Sequence, residues 1–289
     1  MTSNSARRIL VTGATGTVGS AVVTSLIRAG YEGEIRCATR RPDAYREPDG
    51  VGRVAAVGFD FADGGSVSEA VSGVDAVFLL TGYSVDMLVH SKSLLDAAKA
   101  AGVRHVVHLG ALAPDDTTLL APSWHQFVER YAEALGFSYT HLRPNFFIDT
   151  LIAGARRSRK LFHFFGDAAL SCVAVADIAE VAAAALLVPA KHAGKTYGLT
   201  GEPLTMEQAA AELSAEWGED VQCVGLPSEE FLAVLLKNAM EPTYADGLAR
   251  QVIATAGGRF PAAAVVEPAI EEVLGRRPRT WRETARAFR

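Results

Sequence analysis

The residues best equipped for chemistry in this chain are three glycines, a pair of arginines and a histidine–glutamate pair: Gly13, Gly16 and Gly19; Arg40 and Arg41; His125 and Glu129. The glycines lie three apart in Val11-Thr12-Gly13-Ala14-Thr15-Gly16-Thr17-Val18-Gly19. A short apolar run, Ile9 to Val11, precedes them, and Val18, Val22, Val23, Leu26 and Ile27 recur with helical period after them. Strand, glycine turn and helix form the context in which such a triplet binds a dinucleotide. One glycine allows a sharp turn. One lets backbone N–H groups approach a pyrophosphate with no Cβ in the way, and one lets helix and strand pack closely. The helix N-terminus adds free N–H donors and the positive end of its dipole. Gly13, Thr15, Gly16, Thr17, Val18 and Gly19 are therefore the expected phosphate cradle, and the spacing GxxGxxG points to one branch of the dinucleotide-binding folds.

The cofactor's identity is read further along. A second strand, Glu34 to Thr39, ends in Arg40-Arg41-Pro42, about twenty residues past the last glycine, where an acid would take the adenine ribose hydroxyls. A guanidinium there suits a 2′-phosphate instead, so Arg40 predicts NADP(H) over NAD(H); a solvated basic turn is the alternative. A third strand, Arg53 to Phe59, delivers Asp60 for the adenine amino group and Phe61 to flank the ring, with Asp63 as a helix cap. Further strands, Asp75 to Leu80, His105 to Leu109 and Phe137 to Leu142, end in Thr81-Gly82-Tyr83, Gly110-Ala111 and Arg143-Pro144-Asn145-Phe146. Ligands of open α/β sheets bind at these strand ends. Thr81, Gly82, Gly110 and Pro144 are expected to border the cofactor, and Tyr83, Trp124, His125 and Phe146 to line a substrate pocket; plain core packing is the alternative for Trp124 and Phe146.

A nicotinamide enzyme often needs a proton donor near the accepting atom. Many short-chain dehydrogenases use a Ser after the fifth strand and a Tyr-x-x-x-Lys on the next helix. None of the seven tyrosines here has Lys four residues on, and Gly110-Ala111 stand at the serine position. The next helix carries His125 and Glu129, one turn apart on one face. The carboxylate would orient the imidazole and favour its charged form. His125 is the expected acid and Glu129 its orienter, a purely structural pair being the alternative. Quinones and conjugated imines need little beyond hydride delivery and orientation, so a dedicated acid is not obligatory.

Strands alternating with helices at these lengths predict an α/β fold: a Rossmann, doubly wound parallel sheet with helices on both faces and a smaller mixed C-terminal substrate portion. The expected division is 1–150, with 173–200 returning to it, against 151–172 and 201–289. A helix from Ser123 to Leu135 takes Ser123 as its cap, Arg156, Arg157, Arg159 and Lys160 read as a solvated basic turn, and Phe162, Phe164 and Phe165 as core or pocket wall. Asp177 opens an Ala-rich helix. At 289 residues and 49% hydrophobic the chain can bury a large core, and its net charge of −5 argues against nucleic acid as a partner. The longest apolar run, around Val181 to Val188, is too short to span a bilayer, and no signal-length apolar stretch precedes the first strand. Three scattered cysteines suit a reducing compartment; with no CxxC or HExxH, no metal is expected. The expectation is a cytoplasmic monomer or homodimer acting on a small molecule, with no membrane partner.

Taken together, these motifs resemble the NmrA-like branch of the atypical short-chain dehydrogenase/reductases. The resemblance rests on residues 11–19, Arg40, Asp60-Phe61-Ala62-Asp63, Trp124-His125-x-x-x-Glu129 and Thr140-His141-Leu142-Arg143-Pro144-Asn145-Phe146-Phe147. It continues through Asp177-Ile178-Ala179, Tyr197-Gly198-Leu199-Thr200-Gly201 and Gly275-Arg276-Arg277-Pro278-Arg279-Thr280-Trp281, covering nearly the whole chain. It implies NADP(H) on the glycine turn and Arg40, with the Arg143-Pro144-Asn145 turn near the nicotinamide. The family includes reductases of quinones, dyes, ketones and imines, and also redox-sensing regulators that bind the dinucleotide without turnover. An NADPH-dependent reductase of a conjugated or aromatic acceptor is expected, with a non-catalytic NADP(H) sensor as the alternative and a non-redox isomerase or cyclase as a weaker one.

Overall fold

The computed structural model describes residues 7–46 and 53–288; the polar lead before residue 7 lies outside them. The first half alternates strand and helix: β1 (Arg8–Val11), α1 (Thr17–Arg28), β2 (Glu34–Thr39), β3 (Arg53–Gly58), α2 (Gly64–Val71), β4 (Ala76–Leu79), α3 (Met87–Ala100), β5 (His105–Leu109), α4 (Leu120–Ala134) and β6 (Ser138–Pro144). The second half contains α5 (Ile148–Ser158), β7 (Lys160–His163), α6 (Val175–Leu187), α7 (Pro189–His192), β8 (Lys195–Leu199), α8 (Met206–Trp217), β9 (Gln222–Gly225), α9 (Phe231–Lys237), α10 (Pro242–Ala256), α11 (Ala269–Leu274) and α12 (Trp281–Ala285). Seven strands form one sheet in the order β3-β2-β1-β4-β5-β6-β8. Every pairing from β3 through β6 is parallel. The order reverses between β1 and β4, the switch point at which doubly wound sheets bind ligands. β4 and β5 are buried throughout, as strands covered on both faces must be, whereas edge strand β3 is only partly covered. No helix among the described residues is long and apolar enough to cross a membrane.

The chain forms two compact units, and it passes between them in mid-element. The first comprises residues up to Gly110, Trp124–Leu142 and Ile178–Tyr197; the second comprises Ala111–Ser123, Arg143–Asp177 and Gly198 onward. The sequence division differs from this one at 111–123, 143–150, 173–177 and 198–200, because α4, β6, α6 and β8 each contribute to both units and no composition change marks the crossings.

In the second unit, Ile148, Ile152, Leu161, Phe165, Leu213 and Trp281 share one apolar core. Two expectations fail there. Lys160 and Phe162 belong to strand β7, paired in parallel with the distant β9, and not to a turn, and Phe162 is too exposed, at 46%, to be core. Four residues alternating exposed and buried are too few to announce a strand. Arg156 is not simply solvated: its guanidinium stacks on Trp217 at 5.2 Å and donates to the Phe288 carbonyl at 3.0 Å. Asp177, fully buried in the first turn of α6, accepts the Arg279 N–H at 2.7 Å and Arg276 Nη2 at 2.8 Å, as well as Arg279 Nη1. The arginine-rich tail thereby acquires a structural role that its spacing alone does not reveal. In α4, Ser123 is not the cap: the helix begins at Leu120, and Ser123 Oγ donates back to the Leu120 carbonyl at 2.9 Å.

Candidate functional site

At the end of β1, Thr12 is fully buried and its hydroxyl accepts the Leu80 N–H at 2.7 Å and reaches the Leu80 carbonyl at 2.8 Å. This side chain, which the sequence reading passed over, ties the end of β1 to the chain beyond β4 and so positions Thr81 and Gly82. The turn follows. Gly13 has φ +64°, and a Cβ there would lie 2.8 Å from Leu80 Cδ2. A Cβ on Gly19 would lie 2.1 Å from the Gly13 carbonyl oxygen, closer than any rearrangement of side chains could relieve. Gly16 precedes α1 as its N-cap and offers no side chain to the first-turn N–H groups. Thr15, Gly16 and Thr17 are exposed, while Val18 and Gly19 are buried, so Val18 can serve a ligand only through its backbone. An uncapped helix start behind a turn that leaves no room for a Cβ at Gly19 and little at Gly13 fits a diphosphate.

The remaining predicted residues fare unevenly. Arg40 is exposed just beyond β2 and makes no ion pair among the described residues. Asp60 is also exposed, but its Oδ1 accepts the Ala62 N–H at 3.0 Å. The Phe61 ring is stacked on His90 at 5.1 Å, with Phe59 edge-on at 4.7 Å. Asp63 caps α2 by accepting the Gly65 N–H at 3.0 Å. A Cβ on Gly82 would meet nothing, so packing does not demand glycine there. Gly110 ends β5 with its N–H donated to the Leu142 carbonyl at 2.7 Å, so its backbone N–H is engaged within the sheet. Tyr83 is 64% exposed and Trp124 half-buried in the first unit. Pro144 and Phe146 belong to the second unit, where the Pro144 carbonyl accepts the Leu112 N–H at 2.9 Å and the Phe146 ring packs edge-on to Phe165 at 5.0 Å. The neighbouring Asn145 side chain is used structurally, donating to the Ala262 and Ala263 carbonyls at 3.2 and 2.9 Å.

Apart from the glycine turn, the first unit holds a second polar assembly. His108 of β5 and His141 of β6 are register partners, so their side chains share a face of the sheet, and their rings meet edge-on at 5.8 Å. Both are buried, as is Glu129 of α4. His125 places Nδ1 at 3.2 Å from His108 Nε2. Burial pushes the His125 imidazole down to about 4 from its ordinary value near 6.5, so it is neutral at pH 7. The expected imidazolium stabilised by Glu129 is therefore corrected: His108 faces the His125 ring, and desolvation outweighs any pull towards the charged form. Neither His108 nor His141 was singled out for chemistry from sequence. A signal was present in His108 and His105, two histidines interrupting a five-residue strand that is buried throughout.

A parallel sheet whose order reverses beside a glycine turn and an uncapped helix defines a dinucleotide-binding protein of Rossmann architecture. The chain belongs to the NmrA-like family, whose model matches residues 5–256. An NAD(P)H azoreductase from Xenophilus azovorans is 31% identical over 284 residues, covering 96% of this chain and 97% of the relative. A (4-alkanoyl-5-oxo-2,5-dihydrofuran-3-yl)methyl phosphate reductase from Streptomyces griseus is 32% identical over 287 residues, with 95% of each chain covered. Among solved structures, the quinone oxidoreductase QOR2 of Escherichia coli in complex with NADPH superposes with a TM-score of 0.76 at 25% identity, covering 97% of this chain and 99% of the other.

Proposed function

We infer that this chain is an NADPH-dependent oxidoreductase that reduces a small conjugated or aromatic acceptor, such as a quinone, enone, ketone or imine, without a Ser and Tyr-x-x-x-Lys relay. The observation that carries the reading is the glycine cradle, in which Gly19 leaves no room for a Cβ beside the Gly13 carbonyl. The azoreductase and quinone oxidoreductase relatives support the reaction class. When bound, NADPH supplies the hydride. The chain's own part is to hold and orient. The first turn of α1 binds the diphosphate, and the exposed Arg40 guanidinium pairs with the 2′-phosphate. His125 acts as a neutral donor: with Nδ1 facing His108, Nε2 is the nitrogen left to hydrogen-bond the acceptor's oxygen or nitrogen. A neutral N–H orients and polarises the acceptor rather than handing over a stored proton, which suits acceptors that are already electrophilic.

Loss of NADPH absorbance over a panel of a quinone, an enone, a ketone and an imine tests the reading. Turnover of at least one is expected, and His125→Ala should slow it by about 10²-fold at unchanged NADPH affinity. Tight NADPH binding with no turnover of any acceptor would overturn the enzymatic reading and favour a sensor.

A further inference from the structure

We propose that His108, Glu129 and His141 form a binding site for one divalent first-row transition ion, best suited to zinc. The proposal does not depend on the reductase reading. The three residues come from β5, α4 and β6, and each is at most 2% exposed. One donor atom from each lies within 4.8 Å of the other two. A point within about 2.8 Å of all three atoms then exists, so inward movements below about 1 Å per side chain reach zinc–nitrogen and zinc–oxygen bond lengths. Two imidazoles and one carboxylate make a borderline donor set that favours zinc and its neighbours over calcium or magnesium, which prefer oxygen alone.

Three surrounding features fit the same ion. His125 Nδ1 stands 3.2 Å from His108 Nε2, close to the separation of about 3.3 Å between two ligands of a tetrahedral zinc, so His125 can close the coordination sphere. Glu133 Oε1 lies 3.3 Å from His141 Nε2, near enough to become the outer carboxylate that orients a metal-bound imidazole once an ion draws the ring into place. Gly110 leaves the space: a Cβ there would lie 3.2 Å from Glu129 Oε1 and 3.4 Å from His108 Cε1. Burying a carboxylate among imidazoles is costly, and a dication offsets that cost where water cannot reach. The site would lock α4, and with it His125, onto β5 and β6. It also reverses the expectation of no metal, which rested on the absence of short-range CxxC and HExxH motifs.

The test uses the full chain, stripped with a chelator, reloaded with Zn²⁺ or Co²⁺ and freed of excess by gel filtration. Elemental analysis should find about one ion per chain, Co²⁺ should develop the intense visible bands of a tetrahedral site, and saturating Zn²⁺ should raise the melting temperature by about 5 °C or more. His141→Leu and Glu129→Gln should each lower metal affinity at least tenfold while still melting cooperatively. His108→Tyr serves as the third variant should either fail to fold. Wild-type protein that retains no ion, or folded variants that take up metal as the wild type does, would overturn the site.

Discussion

At the turn after β1, Gly13, Gly16 and Gly19, within seven consecutive residues, work through backbone atoms and through the absence of their own side chains. On the face shared by β5, β6 and α4, side chains drawn from positions between 108 and 141 work through ring nitrogens and a carboxylate. Both assemblies lie in the first unit. The turn needs no tertiary partner to be recognised, since its geometry follows from local spacing and from the strand and helix on either side. The imidazole face exists only because β5 and β6 pair with His108 opposite His141. The contrast teaches that a site made of missing atoms is rigid and local, whereas a site made of converging side chains depends on register and is adjustable. Variants can press on that distinction.

The largest effect is expected at Gly19. Gly19→Ala forces a Cβ to 2.1 Å from the Gly13 carbonyl oxygen, so stability should fall by about 3 kcal/mol or more and NADPH binding should be lost, read by thermal melting and calorimetry. A variant that binds normally would mean that the turn is as adjustable as the imidazole face.

A second expectation concerns His105, on the same strand as His108. Burial, reinforced by Arg7 and His192, holds its imidazole at about 4 instead of 6.5, while its Nδ1 meets Ser138 Oγ at 2.8 Å and Thr140 Oγ1 stands 3.4 Å from Nε2. A depressed value means that the unfolded chain takes up the proton first. The stability tied to neutral His105 is complete above pH 6.5, is lost as pH falls towards 4 and levels off below that. Urea titrations from pH 7 to pH 4 should show a decline to which His105 contributes roughly 3 kcal/mol beside the part due to His125, and His105→Gln should make the decline shallower by about that amount. An unchanged decline in the variant would place the titrating group elsewhere.

Arg40→Ala should weaken NADPH binding by about 2 kcal/mol and leave NADH nearly unaffected, measured by calorimetry with both cofactors. Equal losses would refute the 2′-phosphate assignment. The smallest effect is expected at Gly110, where an alanine Cβ at 3.2 Å from Glu129 Oε1 asks for only a few tenths of an ångström. Gly110→Ala should cost about 1 kcal/mol in thermal stability. A cost as large as that of Gly19→Ala would show the imidazole face to be no softer than the glycine turn.

Much of the fold was legible because its signals are local. Apolar strand runs, helical periodicity and the glycine spacing give a doubly wound sheet, and Asp63 and the α1 start fall where such signals put them. The expected cofactor end was visible for the same reason. Strand β7 was not, since a four-residue strand is stabilised by a partner more than fifty residues away and carries little pattern of its own. The protonation of His125 was misjudged because helical spacing names Glu129 as a neighbour, while burial decides the charge.

By itself, the order of residues determined the parallel sheet, the glycine turn beside its switch point and the basic residue beyond β2, since each follows from steric and periodic rules acting within a few residues. Only the tertiary structure decided which imidazoles meet, which carboxylate is buried among them, and where the chain leaves one unit for the other. Those outcomes depend on strand register and on exclusion of water, and neither is written within any short stretch of the chain.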